Sequence, residues 1–164
     1  MIILDNTVLS SFAHIDRLGI PSELFGVTII PERVYYEGVL KAKKSKRVAK
    51  IKRSVEEGLI KVITPTKTDR EVAEGLQRTL GLGERHTIAI GISKKCLIAT
   101  DDLKPRKVAK ELGLDVIGTL GILRLAYRRN LIDSKELRRL VEMLRDILYF
   151  TEELKKWVLS NKEL

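Results

Sequence analysis

The chain has 164 residues, enough for one domain with a conventional core, and its single cysteine, Cys96, excludes an internal disulfide. Lys and Arg number 31 against 22 Asp and Glu, a formal charge of +9 that favours polyanionic partners, nucleic acid first among them. The N-terminal apolar stretch lacks a basic leader, and no uncharged run approaches the ~20 residues of a membrane span, so a soluble cytoplasmic protein that does not engage a membrane is expected.

In chain order, Ile2 to Leu4 read as a short buried strand and Thr7 to Leu18 as a helix whose apolar positions are Val8, Leu9, Phe12, Ile15 and Leu18. Gly19 and Pro21 are expected to close that helix. Val27 to Ile30 form a second strand, and Pro31 is placed in the first turn of a helix from about Glu32 to Glu57 that has room for a break. "GLIKVITP" supplies a third strand, assigned to a sheet edge because Lys61 interrupts its apolar run. Thr68 and Glu71 have capping-box spacing ahead of a helix striped by Val72, Leu76 and Leu80, which Gly81 and Gly83 break.

A helix over "GERHTIAIGISKK", a strand over "CLIAT", a helix over "PRKVAKELG" and a strand over "LDVIG" follow. Strands alternating with helices imply an α/β fold with a mostly parallel central sheet between helical layers. Three helical segments, "TLGILRLAYRRNLI", "SKELRRLVEMLRDILY" and "TEELKKWVLSNKEL", complete residues 118–164 as a C-terminal helical portion of one domain. Cys96, inside an apolar run, is expected to be a buried, reduced thiol.

Two strand ends carry acids: Asp5, followed by Asn6 and Thr7, and Asp101 with Asp102 after Thr100. Such residues can serve only as turns and helix caps. Parallel sheets, however, bind ligands beyond the carboxyl ends of their strands, where both pairs fall. Glu37 lies on or beside the apolar face of its helix, and Glu84 opens a helix directly after glycine, where a solvated face and a helix-dipole partner are the simpler readings. If Asp5, Glu37, Glu84 and Asp101 share a cavity, their mutual repulsion calls for a cation. All-oxygen ligands suit Mg²⁺ or Mn²⁺; zinc is disfavoured because His14, His86 and Cys96 lack metal-ligand spacing.

The segments "ILDNTVL", "IPERVYYEGV", "GLGERHTIAIG" and "LIATDD" together resemble the PIN-domain nucleases, and "PRKVAKELGLDVIGTLGILRLAYRRNLI" is similar to the downstream segment of one prokaryotic PIN group. The resemblance implies a three-layer PIN-like fold and a Mg²⁺- or Mn²⁺-dependent endoribonuclease that cuts single-stranded RNA. It implies Asp5, Glu37, Glu84 and Asp101 as catalytic and metal-binding acids, with Asp102 assisting or capping the next helix and Thr7 as the hydroxyl neighbour of the first acid. His86 stands where relatives often carry a further acid. Small prokaryotic relatives are often toxins of toxin–antitoxin pairs and often pair with themselves, so a cognate antitoxin and a homodimer are expected partners. The alternative is a PIN-fold nucleic-acid-binding or assembly module with little or no nuclease activity.

"KAKKSKRVAKIKRS" places Lys41, Lys43, Lys44, Lys46 and Arg47 downstream of Glu37 on what reads as the same helix. Such density can track a phosphate backbone, although a solvated helix face has the same composition. Tyr35 and Tyr36 border the acids and are placed either to stack unpaired bases or to pack in the core. The stripe Leu137, Leu140, Val141, Leu144 and Leu148 is suited to a dimer interface or to the chain's own core.

Overall fold

The computed structural model describes residues 1–160. Five parallel strands form one sheet: β1 (Ile2–Leu4), β2 (Thr28–Pro31), β3 (Ile60–Ile63), β4 (Leu97–Ala99) and β5 (Val116–Ile117), in the order β3-β2-β1-β4-β5. Central β1 is buried on both faces, which explains its uninterrupted Ile-Ile-Leu run, and its residues pair with Thr28 and Ile29 on one side and with Leu97, Ile98 and Ala99 on the other. β3 lies at an edge, as Lys61 suggested. The sheet is wholly parallel.

The period-2 alternation of β1 feeds two cores. Ile2 and Leu4 join Val8, Phe12, Ile51, Leu123, Leu140 and Leu144 on one face of the sheet, whereas Ile3 joins Ile88, Ile90, Ile98 and Val108 on the other. The first face is covered by α1 (Asn6–His14), α2 (Ile20–Phe25), α4 (Lys46–Glu56), α8 (Thr119–Arg128), α9 (Ser134–Leu144) and α10 (Glu152–Leu159). The second carries α6 (Leu82–Lys94) and α7 (Leu103–Glu111), with α5 (Lys67–Gly75) against α6. Gly91 is required at the α6–sheet contact, because a Cβ there would lie 2.8 Å from the Ile98 side chain. No helix among the described residues is long and apolar enough to cross a membrane.

Several boundaries differ from the sequence expectations. α1 ends at His14 because Asp16 adopts a left-handed conformation, φ 59°, and Pro21 starts α2 instead of ending α1. Pro31 belongs to β2 and caps α3 (Glu32–Tyr35). The expected long helix is three pieces: α3 passes into a π-helical turn over Tyr36–Leu40, residues 41–45 are irregular, and Ser45 caps α4 by accepting from Val48 N–H at 3.2 Å. Lys41, Lys43 and Lys44 are therefore on a loop and not on the helix of Glu37.

The capping box before α5 is Thr66 with Asp69, and Leu76 and Leu80 lie beyond that helix. α6 begins at Leu82, one residue earlier than expected, and α7 at Leu103, two residues earlier. Leu137, Leu140, Val141 and Leu144 are buried in the chain's own core. Residues 161–164 of the last expected helix lie outside the described residues.

Candidate active site

Connections leave β1 and β4 toward opposite edges of the sheet, so the crevice beyond their carboxyl ends is the topological switch point. Asp5 follows β1 there directly, and Asp101 and Asp102 follow β4 after Thr100. Asp5 is the N-cap of α1: its Oδ1 accepts from Val8 N–H at 2.9 Å and from the Thr7 hydroxyl at 2.6 Å. The simpler reading of this acid is thus correct, but incomplete. Among the described residues, its Oδ2 is buried with no partner at hydrogen-bonding geometry.

Burial, the largest influence, pushes the Asp5 carboxyl up to about 6. The Thr100 and Thr7 hydroxyls and Val8 N–H act in the opposite direction, and neighbouring Asp101 adds to the rise. Thr100 favours the charged form by proximity without closing a well-formed bond to Oδ2. An orphaned carboxylate oxygen in a nearly dry position is a vacancy in the local hydrogen-bond accounting.

Glu37 lies in the π-helical turn, a distortion that often accompanies functional positions. Gly38 lets this turn approach α1, since a Cβ there would lie 2.8 Å from Asn6 Oδ1. Arg33 Nε donates to Glu37 Oε1 at 2.5 Å, leaving Oε2 directed over Gly83. Glu84 Oε2 accepts from Gly81 N–H at 2.6 Å, so its helix-terminus role is also realised. Asp5, Glu37, Glu84 and Asp102 line one cleft of about 200 Å³ together with Asn6, Thr7 and Gly83.

Asp101 faces a different way. Thr119 donates to it twice, from N–H at 2.8 Å and from the hydroxyl at 2.6 Å, tying the end of β4 to the start of α8. Burial raises its pKa, with Thr119 and Arg106 opposing the rise and Asp102 adding to it. Asp101 lines an adjoining cleft with Asp102, Thr7, Asn6 and Arg47. The Thr7 hydroxyl spans the two acids, because it donates to Asp5 and accepts from Asp101 N–H at 3.1 Å.

Lys43, Lys44 and Arg47 border a third cleft, of about 270 Å³, that shares Asn6 and Glu37 with the acid cleft. Lys41 and Lys46 are exposed but do not line it. Lys41, Lys43, Lys44, Lys46 and Arg47 make no ion pair among the described residues, whereas Lys50, Lys52 and Arg53 pair with Asp16, Glu56 and Glu57. Tyr36 is exposed, and Tyr35 packs against the core. His86 lines a separate cavity and not the acid cleft.

Sequence reading missed Asn6 as the residue common to all three clefts, Arg33 as the partner of Glu37, and Thr119 as the anchor of Asp101. The i,i+4 spacing of Arg33 and Glu37 was a usable signal. So was the position of Thr119 just beyond the fifth strand.

Two of the candidate acids follow adjacent strands at the switch point. The family model DUF3368, described as a PIN domain, matches residues 1–163. The chain belongs to the PIN-domain family. A search of curated proteins finds no match. PIN domains are generally nucleases and usually use divalent cations such as Mg²⁺.

The residues of this PIN domain fit such a cation in donor chemistry: the unpartnered Asp5 Oδ2, Glu37 and Asp102 offer oxygen along one cleft. Among the described residues, no three acidic, histidine or cysteine side chains already form a metal cage. Mg²⁺ is compatible with that arrangement because it retains several waters and binds through only one or two carboxylates.

Proposed function

We propose that this PIN domain is a Mg²⁺- or Mn²⁺-dependent endoribonuclease that hydrolyses phosphodiester bonds of single-stranded RNA. The observation that carries the reading is the unpartnered Asp5 Oδ2 at the head of an acid-lined cleft that runs into a wall of unpaired cations. Asp5 would hold the cation, with Glu37, Asp102 and Glu84 lining the same cleft, and Asp101 would anchor α8 beside it. A bound cation lowers the pKa of a coordinated water and offsets charge on phosphate oxygens.

The chain's own contribution is positioning. Thr7 orients Asp5 and the backbone of Asp101 together, and Arg33 holds Glu37 with Oε2 free. Lys43, Lys44 and Arg47 bind successive phosphates with little readout of sequence. Because burial raises the pKa of Asp5, cation binding would compete with a proton there, and activity is expected to rise with pH through about 6.

The test is incubation of the purified protein with single-stranded RNA, duplex RNA and single-stranded DNA, each with Mn²⁺, Mg²⁺ or chelator. Metal-dependent products from single-stranded RNA support the reading. Binding without products in every condition supports the alternative, a nucleic-acid-binding or assembly module. A homodimer and a cognate antitoxin belong to the same proposal: exposed Leu103 and Trp157 provide apolar surface outside the core, and light scattering reads the mass of the 18.6 kDa chain in solution. A neighbouring gene whose product blocks cleavage would establish the toxin role.

A further inference from the structure

Through the Arg33–Glu37 ion pair, the acid cleft adjoins a second cavity of about 280 Å³ lined by Glu32, Arg33, Tyr36, Pro65, Arg70 and His86. Its lining carries two arginines and one carboxylate. Arg33 has one acidic partner, Glu37, which engages only one side of its guanidinium; Arg70 forms no ion pair among the described residues. Glu32 is the single carboxylate of the lining. Among the described residues, Arg85 Nε and His86 Nδ1 are buried without hydrogen-bond partners, as is Oδ1 of Asp69, whose charge acts on His86. Tyr36 is 42% exposed, with the Arg33 guanidinium 5.4 Å from its ring centroid.

We propose that this cavity is a phosphate subsite for the RNA strand, in which Arg33 and Arg70 flank a backbone phosphate one step away from the acid cleft and Tyr36 lies against the adjoining base. The proposal rests on the nuclease reading and extends it to a second contact point on the same strand. Guanidinium groups suit the role because their planar donor forks match phosphate oxygens, and the ion pair with Glu37 holds Arg33 in place before the strand arrives. The cavity has room for a sugar beside the phosphate, and the exposed tyrosine face accepts any base. His86 has a physical role here: a neutral ring at this position leaves the arginines free for the strand, where an acid would pair with them.

The test uses the intact chain in chelator, which keeps RNA uncut. The Nε–Hε resonance of Arg70 is followed by NMR during titration with a short oligouridylate and, separately, with inorganic phosphate. In parallel, RNA affinity of the wild type, Arg70→Gln and Arg70→Lys is measured as a function of salt. The subsite predicts that RNA shifts the Arg70 signal, that inorganic phosphate competes at much higher concentration, and that Arg70→Gln lowers the log–log salt slope by about 0.7 while Arg70→Lys retains it.

RNA binding with an unmoved Arg70 signal and an unchanged slope would overturn the subsite and leave the nuclease reading intact. A response to inorganic phosphate but not to RNA would also overturn it. A shift of Arg70 by RNA in a protein that never cleaves with metal would uphold the subsite and count against the nuclease reading.

Discussion

Asp5→Asn separates the structural duty of this residue from its functional one. Asn caps helices about as well as Asp, and its Oδ1 can keep the bonds from Val8 N–H and the Thr7 hydroxyl. What changes is the buried charge. The rise from 3.8 to about 6 corresponds to roughly 3 kcal/mol of destabilisation at pH well above 6. The new amide N–H₂, near the orphaned Oδ2 position, returns about 1 kcal/mol of that if it finds no acceptor. Asp5→Asn is therefore expected to stabilise the metal-free protein by about 2 kcal/mol at pH 8, or roughly 4–8 °C in Tm for a chain of this size.

The sign reverses with acid. Because the folded carboxyl holds its proton more tightly than the unfolded one, wild-type stability from this group is fully present below about pH 3.8 and lost as pH rises through 6. The advantage of the variant consequently shrinks from pH 8 to pH 5. Added Mn²⁺ should stabilise the wild type and have a much smaller effect on Asp5→Asn, following mass action on the folded state. Thermal melts in chelator and in Mn²⁺ across that range check both effects. A variant that melts below the wild type at pH 8, by a margin constant with pH and with an undiminished Mn²⁺ response, would refute the reasoning.

Asp101→Ala should cost about 1–3 kcal/mol with or without metal, because it leaves Thr119 N–H and hydroxyl without their acceptor at the start of α8; chemical denaturation reads the loss. Replacing Lys43 and Lys44 with Gln should lower the salt slope of RNA binding by about 1.4 in log–log units, measured by fluorescence anisotropy. An unchanged slope would place the strand away from the loop of residues 41–45.

The fold was readable where periodicity was strong. The Ile-Ile-Leu strand, the edge position of Lys61 and the strand–helix alternation followed from residue pattern, whereas the short helix α2, which Pro21 opens, was not expected. Boundaries moved where one residue overrode the pattern: Asp16 in a left-handed conformation ended α1, and Ser45 restarted a helix after a π-helical turn that sequence periodicity does not encode. The acids at the ends of β1 and β4 were legible for the same reason that the strands were. Which of them face one another was not, since the turn of Glu37 toward Gly83 depends on the π distortion and Asp101 is drawn away by Thr119, a residue 18 positions further on.

Single-turnover cleavage of one fluorescent single-stranded RNA, by wild type and by Asp5→Asn in Mn²⁺ at pH 8, tests the claim that a buried carboxylate at the end of β1 organises metal-dependent hydrolysis. The wild type should cleave, with chelator abolishing and excess Mn²⁺ restoring the activity, and the folded variant should be slower by at least about 100-fold, the scale of losing a group that supports transition-state charge. Equal rates for the two proteins, or wild-type cleavage that persists in chelator, would contradict it.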